Sequence, residues 1–189
     1  MTEESIKTST ATAPGPSRRA VLVGAGVAAA AAGVGVAWWR GHDAPAAAAE
    51  PLPEGFWSLK WETPQGGNVA LADMHGKPLL INFWATWCPP CIEELPLIND
   101  FYTQNKAKGW QVLGLAVDKP SSVQSFLKRM PLAFPVGLAG LSGSELGKTL
   151  GNISESLPFS VVIGAAGGVL QRKLGRLSAE DLLQWSGLK

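Results

Sequence analysis

The apolar run Leu79-Leu-Ile-Asn-Phe-Trp84, entered from Pro78, constrains this chain more than any other feature. It is too short for a typical helix and is bounded by turn signals, so it reads as a strand buried on both faces. After Ala85-Thr86-Trp87 comes Cys88-Pro89-Pro90-Cys91, which holds both cysteines of the chain. From Pro89 to about Lys106, the residues Ile92, Leu95, Ile98 and Tyr102 recur at helical spacing. A buried strand thus feeds into a helix that carries both cysteines on its first turn. Pro89 suits the first helical position, where its missing N–H is no loss. Pro96 is expected to kink the helix.

That placement has chemical consequences. Two cysteines three apart on one turn can close a small disulfide. Cys88 stands at the helix N-terminus, where unpaired backbone N–H groups and the helix dipole favour thiolate over thiol. The thiolate is the attacking species in disulfide exchange. Cys91 lies one turn inside, is expected to be more buried, and is placed to resolve a mixed disulfide formed by Cys88. Trp84 and Trp87 are expected to flank and shield the pair. The competing readings are two structural thiols or half of a zinc site. Zinc needs two more ligands. The chain has no third cysteine, and its two histidines, His42 and His75, lie upstream in linker or loop. No metal is therefore expected.

Around this unit, strands and helices alternate. Phe56–Trp61 reads as a strand, and Val69–Leu71 could pair back on it across the turn Gln65-Gly-Gly-Asn68. Trp110–Val117 is a second central strand. Pro120–Met130 reads as a helix with Phe126, Leu127 and Met130 inward. Ser142–Leu150 is a short helix or turn. Phe159–Ile163 and Val169–Leu174 are strands around Gly164–Gly168. Ser178-Ala-Glu-Asp181 looks like a capped helix start. The order gives an α/β three-layer domain with a mixed sheet.

The segment Ile81-Asn-Phe-Trp-Ala-Thr-Trp-Cys-Pro-Pro-Cys91 resembles the active-site segment of thioredoxin-fold proteins. It is most like the membrane-tethered or exported TlpA/ResA-type thiol-disulfide oxidoreductases, and the resemblance covers most of residues 56–189. It implies a thioredoxin-like domain with a mixed central sheet and an N-terminal hairpin. It also implies an inserted helix-strand element between about Asp118 and Gly151. Cys88 would attack and Cys91 resolve. Glu94, three residues after Cys91, would tune the cysteines or relay protons, in contrast to a solvated carboxylate such as Glu93 beside it. Pro158 would be a cis-proline opposite the disulfide. With Leu157 and Trp87 it would meet substrate, its backbone pairing with the substrate chain. No cofactor is implied. The chain departs from the pattern in places. Asn82 stands where thioredoxin has a buried Asp. Phe159-Ser160 and Gly164 also differ, and they bear on the shape of the substrate groove.

The N-terminal region points to export. Residues 1–17 are polar and rich in Ser, Thr and Pro, the composition of a disordered segment. Arg18 and Arg19 precede an uncharged stretch from Ala20 to Trp39, long enough as a helix to span about 30 Å of hydrocarbon. Trp38 and Trp39 suit the lipid–water interface, and the arginines favour a cytoplasmic N-terminus. These features support an uncleaved anchor, 18–40, followed by a linker, 41–54, and a domain, 55–189. Small-residue sites near Ala44–Ala49 keep a cleaved signal open. Ser17-Arg-Arg-Ala-Val-Leu22 resembles a twin-arginine signal, with Val21 in place of the usual Phe. The glycines at 24, 26, 33 and 35 lie inside this segment and follow no strand, so they are not a dinucleotide loop.

Charge excludes other classes. The net charge is +1, and from Glu50 onward twelve basic residues balance twelve acidic ones. No nucleic-acid partner is expected. The resemblance implies a periplasmic enzyme that reduces specific protein disulfides, those of apocytochrome c or of copper-site assembly proteins. It would act as a monomer and draw electrons from a membrane reductase of the DsbD type. A disulfide-donating oxidant is the first alternative. A copper chaperone on the same fold would need Cys-x-x-x-Cys and a later His, and Met74-His75 reads as a polar turn. A peroxidase of the superfamily would want Thr at the position of Ala85.

Overall fold

The computed structural model describes residues 49–188. The segments read as disordered (1–17) and as anchor or signal (18–40), and most of the linker, lie outside the described residues. No helix among the described residues is long and apolar enough to cross a membrane.

The described residues form eight strands and four α-helices. They are β1 (Glu50–Pro51), β2 (Lys60–Glu62), β3 (Asn68–Ala70), β4 (Leu79–Trp84), α1 (Pro89–Asn105) and β5 (Gln111–Ala116). After these come α2 (Pro120–Arg129), β6 (Val136–Leu138), α3 (Gly140–Thr149), β7 (Phe159–Ile163), β8 (Gly168–Leu174) and α4 (Ala179–Trp185). Six strands form one mixed sheet in the order β1-β8-β7-β4-β5-β6. Strand β4 runs parallel to β5, and β5 runs parallel to β6. Strands β7, β8 and β1 join by antiparallel pairing.

The pleat of β4 explains the layers. Successive side chains point to opposite faces of a strand. Leu80 and Trp84 therefore face a cluster built from Leu95, Ile98 and Phe101 of α1, Val123 and Phe126 of α2, and Leu182 and Trp185 of α4. Leu79, Ile81 and Phe83 face the other way, toward Leu71, Leu146 and Leu150. Asn82 has the parity of Leu80 and Trp84, so a polar side chain points into the layer that holds the cysteines. The expected three-layer α/β domain is present, and α2, β6 and α3 fill the segment read as inserted.

Several elements differ from the sequence reading. Phe56–Ser58 is a 3₁₀ turn, and only Lys60–Glu62 is a strand. Gly55 enters that turn with φ 73°, and the Ser58 hydroxyl donates to the Gly55 carbonyl at 2.6 Å, so the chain curls before it can extend. The Phe56 ring is buried by the curl and meets Trp57 edge-on at 5.0 Å. Strands β2 and β3 do pair as a hairpin, but they form their own two-stranded sheet. Leu71 leaves β3 to begin a second 3₁₀ turn through Met74. Glu50–Pro51, read as linker, is an edge strand on β8. Arg172 holds it there by donating to both carboxylate oxygens of Glu50. Tyr102 is only half-buried, and Phe101 takes the inward place against Trp110. Helix α1 continues through Pro96, whose ring faces solvent and whose missing N–H deprives the Ile92 carbonyl of its helical donor.

Candidate active site

Strand β4 ends at Trp84, and the turn Ala85–Trp87 delivers Cys88 to the N-cap of α1. The Cys88 N–H donates to the Ala85 carbonyl, and the Cys88 carbonyl accepts from Cys91 and Ile92 as the first turn closes. Cys88 and Cys91 are joined by a disulfide with Cα atoms 5.3 Å apart. Cys88 keeps a sliver of exposure, 4%, and Cys91 has none. Pro89 and Pro90 open the helix with no N–H to waste.

The turn is fixed from the neighbouring strand. Asp118 follows β5, and its carboxylate accepts from the backbone N–H and the hydroxyl of Thr86 and from the N–H of Lys119. Partial burial raises the Asp118 pKa, but these hydrogen bonds and the Lys119 charge outweigh it and leave the group below its ordinary value. Asp118 thus stays ionised and pins the residue two before Cys88. The sequence reading missed it. The signal was available, because parallel strands β4 and β5 end side by side and place an acid after β5 beside the turn after β4.

Glu94 lies one turn beyond Cys91 on α1 and is fully buried. Its Oε1 accepts from Asn82 Nδ2 at 2.7 Å, and its Oε2 accepts from the Leu177 N–H at 2.6 Å. Asn82 Nδ2 also donates to Ser160 Oγ at 3.0 Å. Burial is the largest influence on Glu94 and favours the neutral acid. The bonds from Leu177 and Asn82, with the charges of Arg176 and Lys173, oppose it, and the pKa is raised to about 7. This contact set joins β4, α1, β7 and the loop before α4, and it was not visible in the sequence.

The sign of this effect gives a prediction. The unfolded chain ionises Glu94 near 4.5, and the folded chain near 7. Stability from the neutral acid is therefore full below about 4.5 and lost as pH rises through 7. The difference is worth roughly 3 kcal/mol. Relative to Glu94→Gln, the wild type should lose about that much stability between pH 4.5 and pH 8. Urea unfolding of the oxidised proteins at both pH values checks this, and a constant difference between the two would refute it.

The remaining expected site residues take different positions. The Leu157–Pro158 peptide bond is cis. Pro158 is buried just before β7, whose Phe159 pairs with Phe83 of β4, so it lies alongside the end of β4. The Pro158 carbonyl accepts from Gly175, and a proline has no N–H to offer. One lone pair of that carbonyl remains for a further donor. Leu157 is half-buried against the cluster that contains both cysteines, and its own N–H and carbonyl have no hydrogen bond among the described residues. Trp84 is fully buried and packs on Phe126 at 5.3 Å. Trp87 is 66% exposed, while Cys88, next to it in the chain, keeps only 4%. Ala85, at the start of the same turn, is fully buried. A shallow groove beside the turn is bordered by Thr86, Ile92, Ser122, Ser125, Phe126 and Arg129. Met74 points into the opposite core while His75 stacks edge-on against Trp57, so the pair does not share a face as metal ligands would.

Comparison with known proteins agrees with this geometry. The family model described as AhpC/TSA family matches residues 41–172. Thiol-disulfide oxidoreductase ResA of Bacillus thuringiensis subsp. konkukian is 37% identical over 122 residues, covering 64% of this chain and 68% of that protein. Sporulation thiol-disulfide oxidoreductase A of Bacillus subtilis is 28% identical over 155 residues, 80% of this chain and 89% of its own length. Among solved structures, a thioredoxin-family thiol:disulfide interchange protein from Chlorobium tepidum superposes with a TM-score of 0.65. It is 27% identical and covers 74% of this chain and 95% of its own. With the Cys88–Cys91 disulfide at the head of α1, these likenesses show that the chain belongs to the AhpC/TSA family of thioredoxin-fold proteins and is a thiol-disulfide oxidoreductase.

Proposed function

We propose that the chain works outside the cytoplasmic membrane as a reductant of protein disulfides. The observation that carries this reading is the disulfide at the N-terminus of α1, with a buried carboxyl one turn beyond it. In the reduced enzyme, the Cys88 thiolate attacks one sulfur of a substrate disulfide. One substrate thiolate leaves, and a mixed disulfide with Cys88 remains. Glu94 in its carboxylate form then takes the proton of the Cys91 thiol. The Cys91 thiolate attacks the Cys88 sulfur and expels the second substrate thiolate. Two electrons pass to the substrate, which leaves as a dithiol once its thiolates are protonated. The enzyme is left in the disulfide form seen here.

The surface around Cys88 suits a protein substrate. The exposed Trp87 indole offers an apolar contact, and Leu157 offers an unpaired N–H and carbonyl for strand-like pairing. The Arg18-Arg19 pair and the uncharged stretch to Trp39 support export, with a tether to the membrane if the segment is retained. Among exported disulfides, those of apocytochrome c or copper-site assembly proteins are the proposed substrates. Electrons would be restored by a membrane donor of the DsbD type.

Cys91→Ser tests the order of attack. The variant can form the mixed disulfide and cannot resolve it. A covalent complex of enzyme and substrate, lost on adding dithiothreitol, should accumulate on a non-reducing gel. A complex that forms instead with Cys88→Ser would reverse the two roles.

A further inference from the structure

Asn82 carries an atom that the rest of the site leaves unserved. The residue is fully buried in the middle of β4. Its Nδ2 uses both hydrogens, one on Glu94 Oε1 and one on Ser160 Oγ. Its Oδ1 has no hydrogen-bond partner among the described residues. A buried carbonyl left in this way is costly.

The opposite amide orientation has nearly the same shape. Turning the amide by about 180° places Oδ1 between Glu94 and Ser160. An ionised Glu94 then faces an acceptor and loses its donor. A protonated Glu94 gains, because its own O–H donates to Oδ1. The Ser160 hydroxyl serves both arrangements, accepting in the first and donating in the second. The Leu177 N–H stays on Oε2 throughout. One amide atom is unpaired in either case, Oδ1 in the first and Nδ2 in the second. The unpaired atom therefore does not choose between the arrangements, and the proton on Glu94 does.

We propose that Asn82 and Ser160 form a two-position hydrogen-bond relay that turns with the proton on Glu94, which makes Asn82 a positioning residue for the step at Cys91. The proposal rests on the reading of Glu94 as the acceptor of the Cys91 proton. The other charged groups facing Glu94 do not need to move. Lys173 of β8 is paired with Asp181 of α4, and Arg176 is paired with Glu93 of α1. On α1 itself, Cys91 is the neighbour one turn before, held in the disulfide. A relay that can serve the acid and the carboxylate lets Glu94 exchange a proton without opening the core.

The test is an NMR titration of the oxidised full chain from pH 5 to pH 9. Contacts from the Asn82 side-chain N–H₂ hydrogens to the Ser160 Hβ hydrogens should be present at pH 9 and lost at pH 5. Their midpoint should coincide with that of the Glu94 carboxyl carbon. In Glu94→Gln, whose amide mimics the protonated acid, those contacts should be absent at every pH. Asn82→Asp, which cannot donate when ionised, should raise the midpoint of the pH profile of kcat/KM by about one pH unit or more. Contacts that persist unchanged across the whole range would overturn the relay and leave Asn82 as a structural residue. The two readings fail separately. If the contacts switch while Glu94→Gln leaves the turnover profile unmoved, the relay stands and the catalytic role of Glu94 falls. If the profile moves and the contacts do not switch, the relay falls.

Discussion

Cys88→Ser should abolish disulfide reduction, with a loss on the order of 10³-fold or more, because the serine hydroxyl cannot act as the attacking thiolate. The loss should come without unfolding. Cys88 is at the N-cap of α1, and serine is a favourable residue there. The variant does lose the short Cys88–Cys91 loop, so the comparison belongs to the reduced proteins. A reduction assay on a disulfide-bonded substrate measures the first quantity, and urea unfolding of reduced wild type and variant measures the second. Turnover within about tenfold of wild type would remove Cys88 from the reaction.

The second large effect concerns Trp84, which ties the cysteine-bearing layer to the sheet. Its indole is fully buried, packs on Phe126, and lies where a Cβ at position 114 would come within 3.1 Å of its Nε1. Gly114 is thus the small residue that makes room for it. Trp84→Ala should cost about 3–5 kcal/mol, read from the urea midpoint of the oxidised protein. The indole N–H has no hydrogen-bond partner among the described residues. Trp84→Phe removes that unsatisfied donor while keeping much of the volume, and it should stay within about 1.5 kcal/mol of wild type. If Trp84→Ala cost less than about 1 kcal/mol, the indole would not be an anchor of this layer.

The parts of the molecule that were legible in the sequence are those that depend on local pattern. The run to Trp84 and the periodic α1 carry their own signals, period by period. The helix N-terminus then dictates the position of Cys88. Residues 56–58 were misread because alternation over so few residues does not distinguish a strand from a 3₁₀ turn. Gly55 at φ 73° decided the matter. The exposure of Trp87 was not legible either, because Ala85 and Trp87 lie in the same turn and only Ala85 is buried. The hydrogen-bond set around Glu94 was illegible for a different reason. Asn82, Ser160 and Leu177 are ordinary residues far apart in the chain. Only the register of β4 with β7, which sets Asn82 opposite Ser160, brings them together. The unpaired backbone of Leu157 likewise shows only once the backbone bonds around the cis peptide are placed.

The central claim is that the Cys88–Cys91 pair gives electrons to substrates. Its reduction potential tests this most directly, in a fragment beginning near Glu50, the first residue of β1. The fragment would be equilibrated against glutathione or dithiothreitol buffers and followed by tryptophan fluorescence, since Trp84 ends β4 just before the turn and Trp87 directly precedes Cys88. A reductant should lie below about −260 mV, the reducing limit of the glutathione pool as measured by chemical extraction. A value near about −120 mV, that of a strong disulfide donor, would contradict the account and reverse the direction of electron flow.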